Sequence, residues 1–331
     1  MKNILIVTPA PPALHTGNRT TAERWSRILT ELGHQVRIER DWPDSGDEPG
    51  YDLLIALHAR RSFPAIDRFH RAHPGVPVVV ALTGTDLYHD IESSAEAIQS
   101  LEIADRLIIL QPCGVDSLPA HLRDKCRVIF QSAEAAAAPD SAAANVFQVC
   151  VLAHLREVKD PLRAAYAARG LPAGSRIQVA HAGGAIDPEL GGEAENEQRR
   201  NPRYHWLGDL SREQALRLLA GSHLLAVTSL LEGGANVVSE AIAASVPVVS
   251  TDIPGSVGIL GQDYPGYFPT GDTQALARLL QQAETDPAFY ADLKGRVRDL
   301  KPLVDPQRER ESWRALLAGL RESHNLSASR G

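Results

Sequence analysis

Glu232 and Glu240 stand with seven residues between them in the stretch Ser-Leu-Leu-Glu-Gly-Gly-Ala-Asn-Val-Val-Ser-Glu-Ala that begins at Ser229. Gly233 and Gly234 follow the first glutamate, and after Ala235 a helix is expected to open near Asn236. Two glycines ahead of a helix let backbone N–H groups approach an anion, and the helix dipole favours a phosphate there. Glu240, about one turn into that helix, can accept two hydrogen bonds from a ribose diol. Glu232, on the loop, lies nearer the place of a sugar joined to the diphosphate. A Gly-rich turn followed by a helix with a solvated glutamate reads these residues equally well. A second segment, His154-Leu-Arg156-Glu-Val-Lys159, follows an expected strand. Lys159 offers a point charge and Arg156 a planar fork, both suited to a diphosphate; two surface charges opening a helix are the plainer alternative.

If the ligand is a nucleotide diphosphate joined to a sugar, breaking that bond demands that the charge on the leaving group be stabilised. No Asp-x-Asp pair stands where it would hold a divalent cation, so Lys159, Arg156 and the helix amides are expected to meet the departing nucleotide diphosphate. Neither a required metal nor a cofactor is expected. The stretch 182–184, with Gly183, and the stretch 206–210, with Leu207, are expected to flank the nucleoside through backbone contacts. In the first half, His15-Thr-Gly17-Asn18-Arg19-Thr20 reads as a polar loop entering a helix, able to hold an anionic acceptor or a phosphate. His58, Arg60 and Arg61 follow a strand, as does Thr83-Gly-Thr85-Asp86, in which Asp86 is a candidate for a sugar hydroxyl contact or a base. Ordinary turns, caps and solvated helix starts remain alternatives at all of these. His70, His73, His121 and His223 lack metal-ligand spacing.

The elements that must position these residues alternate. Strands are expected at Asn3–Thr8, Val36–Glu39, Leu53–Leu57, Val78–Leu82, Arg106–Leu110 and Arg127–Gln131. After an Ala-rich stretch, Ser132–Asn145, read as an interdomain linker, they resume near Gln148–Leu152, Arg176–Ala180, Tyr204–Leu207, Leu224–Thr228 and Val246–Ser250. Helices are expected at Thr20–Leu32, opened by a Thr20-x-x-Glu23 capping box and closed at Gly33, and at Asp160–Arg169, Arg212–Gly221 and Val237–Ala244. The last, Gln307–Leu320, carries Trp313, Leu316, Leu317 and Leu320 on one face, and Asn325–Gly331 reads as a frayed tail. Strand–helix alternation implies parallel sheets with helices on both faces and ligands beyond the carboxyl ends of the strands. The expected fold is therefore α/β, two doubly wound, Rossmann-like domains facing a cleft: residues 1–140 for the acceptor, 146–305 for the donor, and 306–331 as a C-terminal helix and tail. At 331 residues the chain has the length of two domains. Its net charge of -7 argues against nucleic acid as the main partner. Cys113, Cys126 and Cys150 are an odd count without CxxC spacing, as expected of reduced thiols in the cytoplasm. The opening Met-Lys-Asn-Ile-Leu-Ile-Val-Thr runs into Pro9, Pro11 and Pro12, which reads as a first strand and not a signal peptide, and no run approaches a membrane span.

The paired glutamates, followed by Ala-Ile-Ala-Ala-Ser-Val-Pro-Val-Val-Ser, resemble the donor signature of GT-B-fold glycosyltransferases of the glycogen-synthase-like group. The resemblance implies that Glu232 contacts the donor sugar and Glu240 the ribose. Ser245 stands where that group often has Gly. Lys159 matches the group's lysine, while His154 occupies the position of its arginine. Further stretches are similar to one branch, the selenosugar synthases of selenoneine biosynthesis. These are Thr8-Pro-Ala-Pro-Pro, Gly17-Asn-Arg-Thr, Leu57-His-Ala-Arg-Arg61, Leu82-Thr-Gly-Thr-Asp-Leu-Tyr88, His154-Leu-Arg156, Arg203-Tyr-His-Trp-Leu-Gly208 and Asp263-Tyr-Pro-Gly-Tyr-Phe-Pro269. That resemblance implies transfer of N-acetylglucosamine, or a related hexose, from its UDP donor to selenophosphate, giving a 1-selenosugar. Selenophosphate is already ionised and needs positive charge more than a strong base; Asn18, Arg19, Thr20, Arg60 and Arg61 can supply charge and donors. Other acceptors stay open, among them a different small molecule or a lipid, for which the basic segment Arg60–His73 is the reason. A UDP-sugar epimerase and a non-catalytic nucleotide-sugar binder are the remaining alternatives.

Overall fold

A computed structural model describes residues 1–10, 16–42, 50–137 and 145–328. Pro11, Pro12, His15, residues 138–144 of the Ala-rich stretch and residues 329–331 of the tail lie outside them. The chain forms two compact units, Met1–Gln131 with Pro306–Gly331, and Ser132–Asp305.

The first unit has a parallel sheet in the order β2-β1-β3-β4-β5-β6, with β1 Asn3–Val7, β2 Gln35–Glu39, β3 Leu53–Leu57, β4 Val78–Leu82, β5 Arg106–Ile109 and β6 Cys126–Val128. Every residue of β3 and β4 is buried, as expected where helices cover both faces of a parallel sheet. The alternation of strand side chains makes two cores of one sheet. Ile4, Ile6, Ile55 and Val79 face Trp25, Leu29 and Trp313, whereas Leu5, Leu54, Val80 and Ile109 face Ile66, Phe69 and Leu101. The helix expected to open at Thr20 opens a turn earlier and runs Gly17–Glu31. Thr16 is its cap, accepting from Arg19 N–H at 3.4 Å. The expected capping box is not formed: Thr20 lies inside the helix, and Glu23 pairs instead with Arg19 Nε at 2.6 Å, four residues back on the same face.

The second unit repeats the plan in the order β12-β11-β10-β7-β8-β9, with β7 Phe147–Leu152, β8 Ile177–Ala182, β9 Tyr204–Trp206, β10 Leu224–Val227, β11 Val248–Thr251 and the short β12 Tyr267–Phe268. After a 3-10 turn at Glu157–Lys159, the stretch expected as a helix over Asp160–Arg169 opens with a left-handed Asp160 (φ 42°) and is helical only over Arg163–Arg169. Pro161 keeps Asp160 out of the helix, because a proline restricts the residue before it away from the helical region. The last helix runs Pro306–Ala328 and so extends through Asn325–Ala328, the first part of the stretch expected as a tail. Among the described residues no helix is long and apolar enough to cross a membrane.

Candidate functional site

In each unit the chain leaves the middle of its sheet in one direction and returns to build in the other. This places a topological switch between β1 and β3, and another between β7 and β10. Loops that part at such a point leave a crevice at the strand ends. Lys159 follows β7 and Glu232 follows β10, and the structure brings them together: Lys159 Nζ lies 2.5 Å from Glu232 Oε1. Ser229 Oγ donates to the same oxygen at 2.6 Å. Glu232 is 9% exposed, so its charge is held by these two donors and little by water, which makes their hydrogen bonds strong.

The supports of this pair are themselves tied down. Thr228 Oγ1 donates to the carbonyls of Lys159 and Asp160 at 3.0 and 2.9 Å, and Leu230 N–H donates to Val158 O at 2.9 Å. Thr251 Oγ1, at the end of β11, donates to Ser229 O at 2.7 Å. Behind Glu232 the helix Pro254–Leu260 packs so closely that a Cβ on Gly255 would meet Glu232 O at 2.0 Å. Thr228 and Gly255 carry no pattern that a single sequence reveals as functional, and Ser229 stood out only as the first residue of the paired-glutamate stretch.

The helix after the glycines runs Asn236–Ala244, and Ala235 at its N-cap offers no side-chain acceptor. Its positive end is thus left without a capping side chain beside Gly233 and Gly234, a geometry that suits an anion. Glu240 lies in this helix, 7% exposed, and its Oε1 is 2.9 Å from an Arg212 guanidinium nitrogen. At the ends of β7–β9, His154 Nδ1 accepts from Gly184 N–H at 3.0 Å. Gly183 N–H donates to Gly208 O at 2.8 Å, and Trp206 Nε1 donates to Gly183 O at 2.9 Å. A Cβ on Gly183 would stand 1.9 Å from Ala153 O, so only glycine fits there. Leu207 is exposed beside these backbone groups. Beneath them His181 is buried and neutral: Nε2–H donates to Ala153 O and Nδ1 accepts from the Tyr204 hydroxyl, both at 2.8 Å. Burial pushes its imidazole down to about 4.

In the first unit, Gly17, Asn18, Arg19 and Thr20 form the first turn of the helix after β1, on the β1–β3 switch. His58 follows β3 in a left-handed conformation (φ 74°) and is buried, a strained backbone of the kind found at functional positions. Its Nδ1 accepts from Arg61 N–H at 3.4 Å, which leaves Nε2–H for Thr85 Oγ1 at 3.1 Å. Burial lowers its pKa, opposed by Asp86 and reinforced by Arg61. Asp86 is fully buried and accepts three backbone N–H groups, from Thr83 and Gly84 at 2.8 Å each and from Ala59 at 2.9 Å. It therefore pins the loops after β3 and β4 to each other. Sequence reasoning missed Asp90, at the end of a π-helical turn Asp86–Asp90: its carboxylate is buried and 3.1 Å from Arg60 Nε. Arg61 is exposed. Among the described residues no three His, Cys, Asp or Glu side chains are placed to hold a metal.

The architecture and these strand-end residues define a class. Residues 134–299, half of the chain, match the family described as glycosyl transferases group 1, and the chain belongs to that family. Solved structures agree on the fold, GT-B, built from two Rossmann-like units. The chain is similar to Anabaena HepE in complex with UDP and glucose, at 16% identity over 96% of this chain and 100% of that one, TM-score 0.74. Sucrose-phosphate synthase from Thermosynechococcus elongatus is 15% identical over 98% and 100%, TM-score 0.77. The E. coli trehalose-6-phosphate protein bound with UDP-2-fluoro glucose is 13% identical over 96% and 98%, TM-score 0.70. No curated protein matches the chain in sequence.

Proposed function

We propose that this glycosyltransferase takes a hexose, N-acetylglucosamine foremost, from a UDP donor and transfers it in the cytoplasm to selenophosphate. The carbon–oxygen bond to the diphosphate breaks, a carbon–selenium bond forms and UDP leaves; hydrolysis of the selenium–phosphorus bond then releases phosphate and the 1-selenosugar. The observation that carries the donor half is the Lys159–Glu232 pair on the β7–β10 switch, beside a helix with no capping side chain. In this reading Lys159, Arg156, Gly233, Gly234, Ala235 and the Asn236 turn meet the charge that develops on UDP. Glu232 holds the sugar hydroxyls and Glu240 the ribose. His154, Gly183 and Leu207 border the nucleoside. The acceptor half rests on resemblance, supported by the strained His58, by Arg60 and Arg61, by Thr85, and by the helix turn Gly17–Thr20; Asp86 keeps their loops in register. Structures that resemble this one hold UDP, UDP-glucose and a fluorinated UDP-glucose, which supports a UDP donor.

Mass spectrometry of products from UDP-N-acetylglucosamine with selenophosphate, against phosphate as control acceptor, tests the reaction. A selenosugar appearing only with selenophosphate is expected; UDP release with no selenium in any product would refute the acceptor. For the donor site, Glu240→Ala is expected to weaken UDP binding roughly ten-fold or more. Glu232→Ala should leave UDP binding near normal and lower kcat roughly 10²–10³-fold. Near-wild-type kinetics for both variants would remove the assignment.

A further inference from the structure

Glu240 is a nearly buried carboxylate, and burying a charge is unfavourable unless a partner compensates it. The partner is Arg212, whose guanidinium reaches Oε1 at 2.9 Å from a different helix, Arg212–Ala220. Arg212 is the first residue of that helix, where a cation opposes the helix dipole; the position gives the helix nothing that a neutral or acidic residue would not improve. Its backbone is nevertheless fixed. Ser211 and Gln214 close a reciprocal capping box, Ser211 Oγ accepting from Gln214 N–H at 3.2 Å and Gln214 Oε1 accepting from Ser211 N–H at 3.0 Å. The loop that leads into it carries Leu207 and Asp209, and the Asp209 side chain lies against Gly184, beside His154. The Arg212 side chain is about half exposed, so it reaches Glu240 from the solvent side.

We propose that Arg212 is a positioning and specificity residue for the nucleotide: it holds Oε1 of Glu240 and so turns Oε2 toward the ribose hydroxyls. The inference rests on the assignment of Glu240 to the ribose. A carboxylate fixed by one oxygen offers the other in a single orientation, and a nucleotide without its 2′-hydroxyl takes from that oxygen one of the two hydrogen bonds of the diol, in a place with little water. Such sites reject the analogue that lacks the group. Without Arg212 the carboxylate is free to turn away, and the distinction fades along with affinity.

Titration calorimetry with UDP and with 2′-deoxy-UDP tests this on the full chain. The wild-type enzyme is expected to prefer UDP by about ten-fold, the worth of one hydrogen bond to a charged group. Arg212→Ala should bring the two nucleotides within about three-fold of each other, and Arg212→Lys, which keeps the charge but not the fork, should restore part of the preference. A merely structural arginine would lower both affinities alike, and an unchanged ratio in Arg212→Ala overturns the proposal. Glu240→Ala separates the two claims. If it abolishes the preference while Arg212→Ala does not, only the role of Arg212 falls. If Glu240→Ala binds both nucleotides as wild type does, the ribose assignment itself fails and takes this inference with it.

Discussion

His181 shows how much of the site's support is set by burial of single groups. Its two ring nitrogens are both used, one donating and one accepting, and this holds only for the neutral ring; a second proton would face the Tyr204 hydroxyl. The folded value of about 4 lies below the ordinary 6.5. The unfolded chain therefore takes up a proton that the folded chain refuses. Stability is whole above pH 6.5 and is lost as pH falls toward 4, by about 2 kcal/mol at pH 5. Urea denaturation at pH 7 and pH 5 should show that loss, and His181→Gln, less stable at both, should show a smaller difference between them. At this scale the sequence was partly legible. Lys159 and Glu232 were candidates by their place after expected strands and Glu240 by its spacing from Glu232, and the structure brings the first two together. Ser229, Arg212 and Asp90 were not candidates, because a serine three residues before a glutamate, or an arginine opening a helix, is an ordinary occurrence until the fold brings the partner near.

Elements were legible where their period was long and their boundaries chemical. The buried runs of β3 and β4 lie at the residues their composition implies, whereas β6 lies at Cys126–Val128 and the two-residue β12 left no pattern to read. Thr20 misled because Ser/Thr-x-x-Glu is a frequent pairing, and Thr16 one turn earlier does the capping. Two substitutions belong here. Ser245 ends the helix Asn236–Ala244 in the left-handed region (φ 56°), a conformation that favours glycine. Ser245→Gly is expected to raise stability by about 0.5–1 kcal/mol, read as a higher Tm with UDP affinity unchanged; a lower Tm would show that the seryl side chain contributes more than the strain removes. Gly255→Ala acts the other way. The added methyl would press on the Glu232 carbonyl, a backbone atom that cannot step aside as a flexible side chain would. Overpacking of this kind destabilises by about 1–3 kcal/mol. Because the displaced group carries Glu232, kcat should fall further than UDP affinity; a fall in Tm with kcat intact would show that the loop absorbs the push without moving the carboxylate.

For the molecule as a whole, the question is why the chain returns to its first unit for its last helix. The apolar stripe of Gln307–Leu320 was readable, but a stripe says that a face is buried and not against what. The structure answers with Trp313, fully buried and edge-on to Trp25 at 4.9 Å, and with Leu316, Leu317 and Leu320 in the same core as Ile4 and Ile55. Glu309 is 2% exposed and accepts from Trp25 Nε1 at 2.7 Å, and its other oxygen is 3.1 Å from Arg24 Nε. Removing residues 306–331 would therefore open one face of the first sheet and take the partner carboxylate from a buried arginine, a loss of roughly 3–5 kcal/mol from the ion pair alone. Among the described residues, the core of Ser132–Asp305 takes nothing from this helix. A chain ending at Asp305 is expected to be cut by protease within residues 1–131 while 132–305 resists, and to keep its affinity for UDP while losing transfer. The UDP outcome ties the two halves of the reading together, since the residues proposed for the donor lie wholly in the second unit. If UDP binding vanished with the helix while 132–305 stayed folded, the donor site could not be the self-contained arrangement of β7, β10 and the Asn236–Ala244 helix argued above.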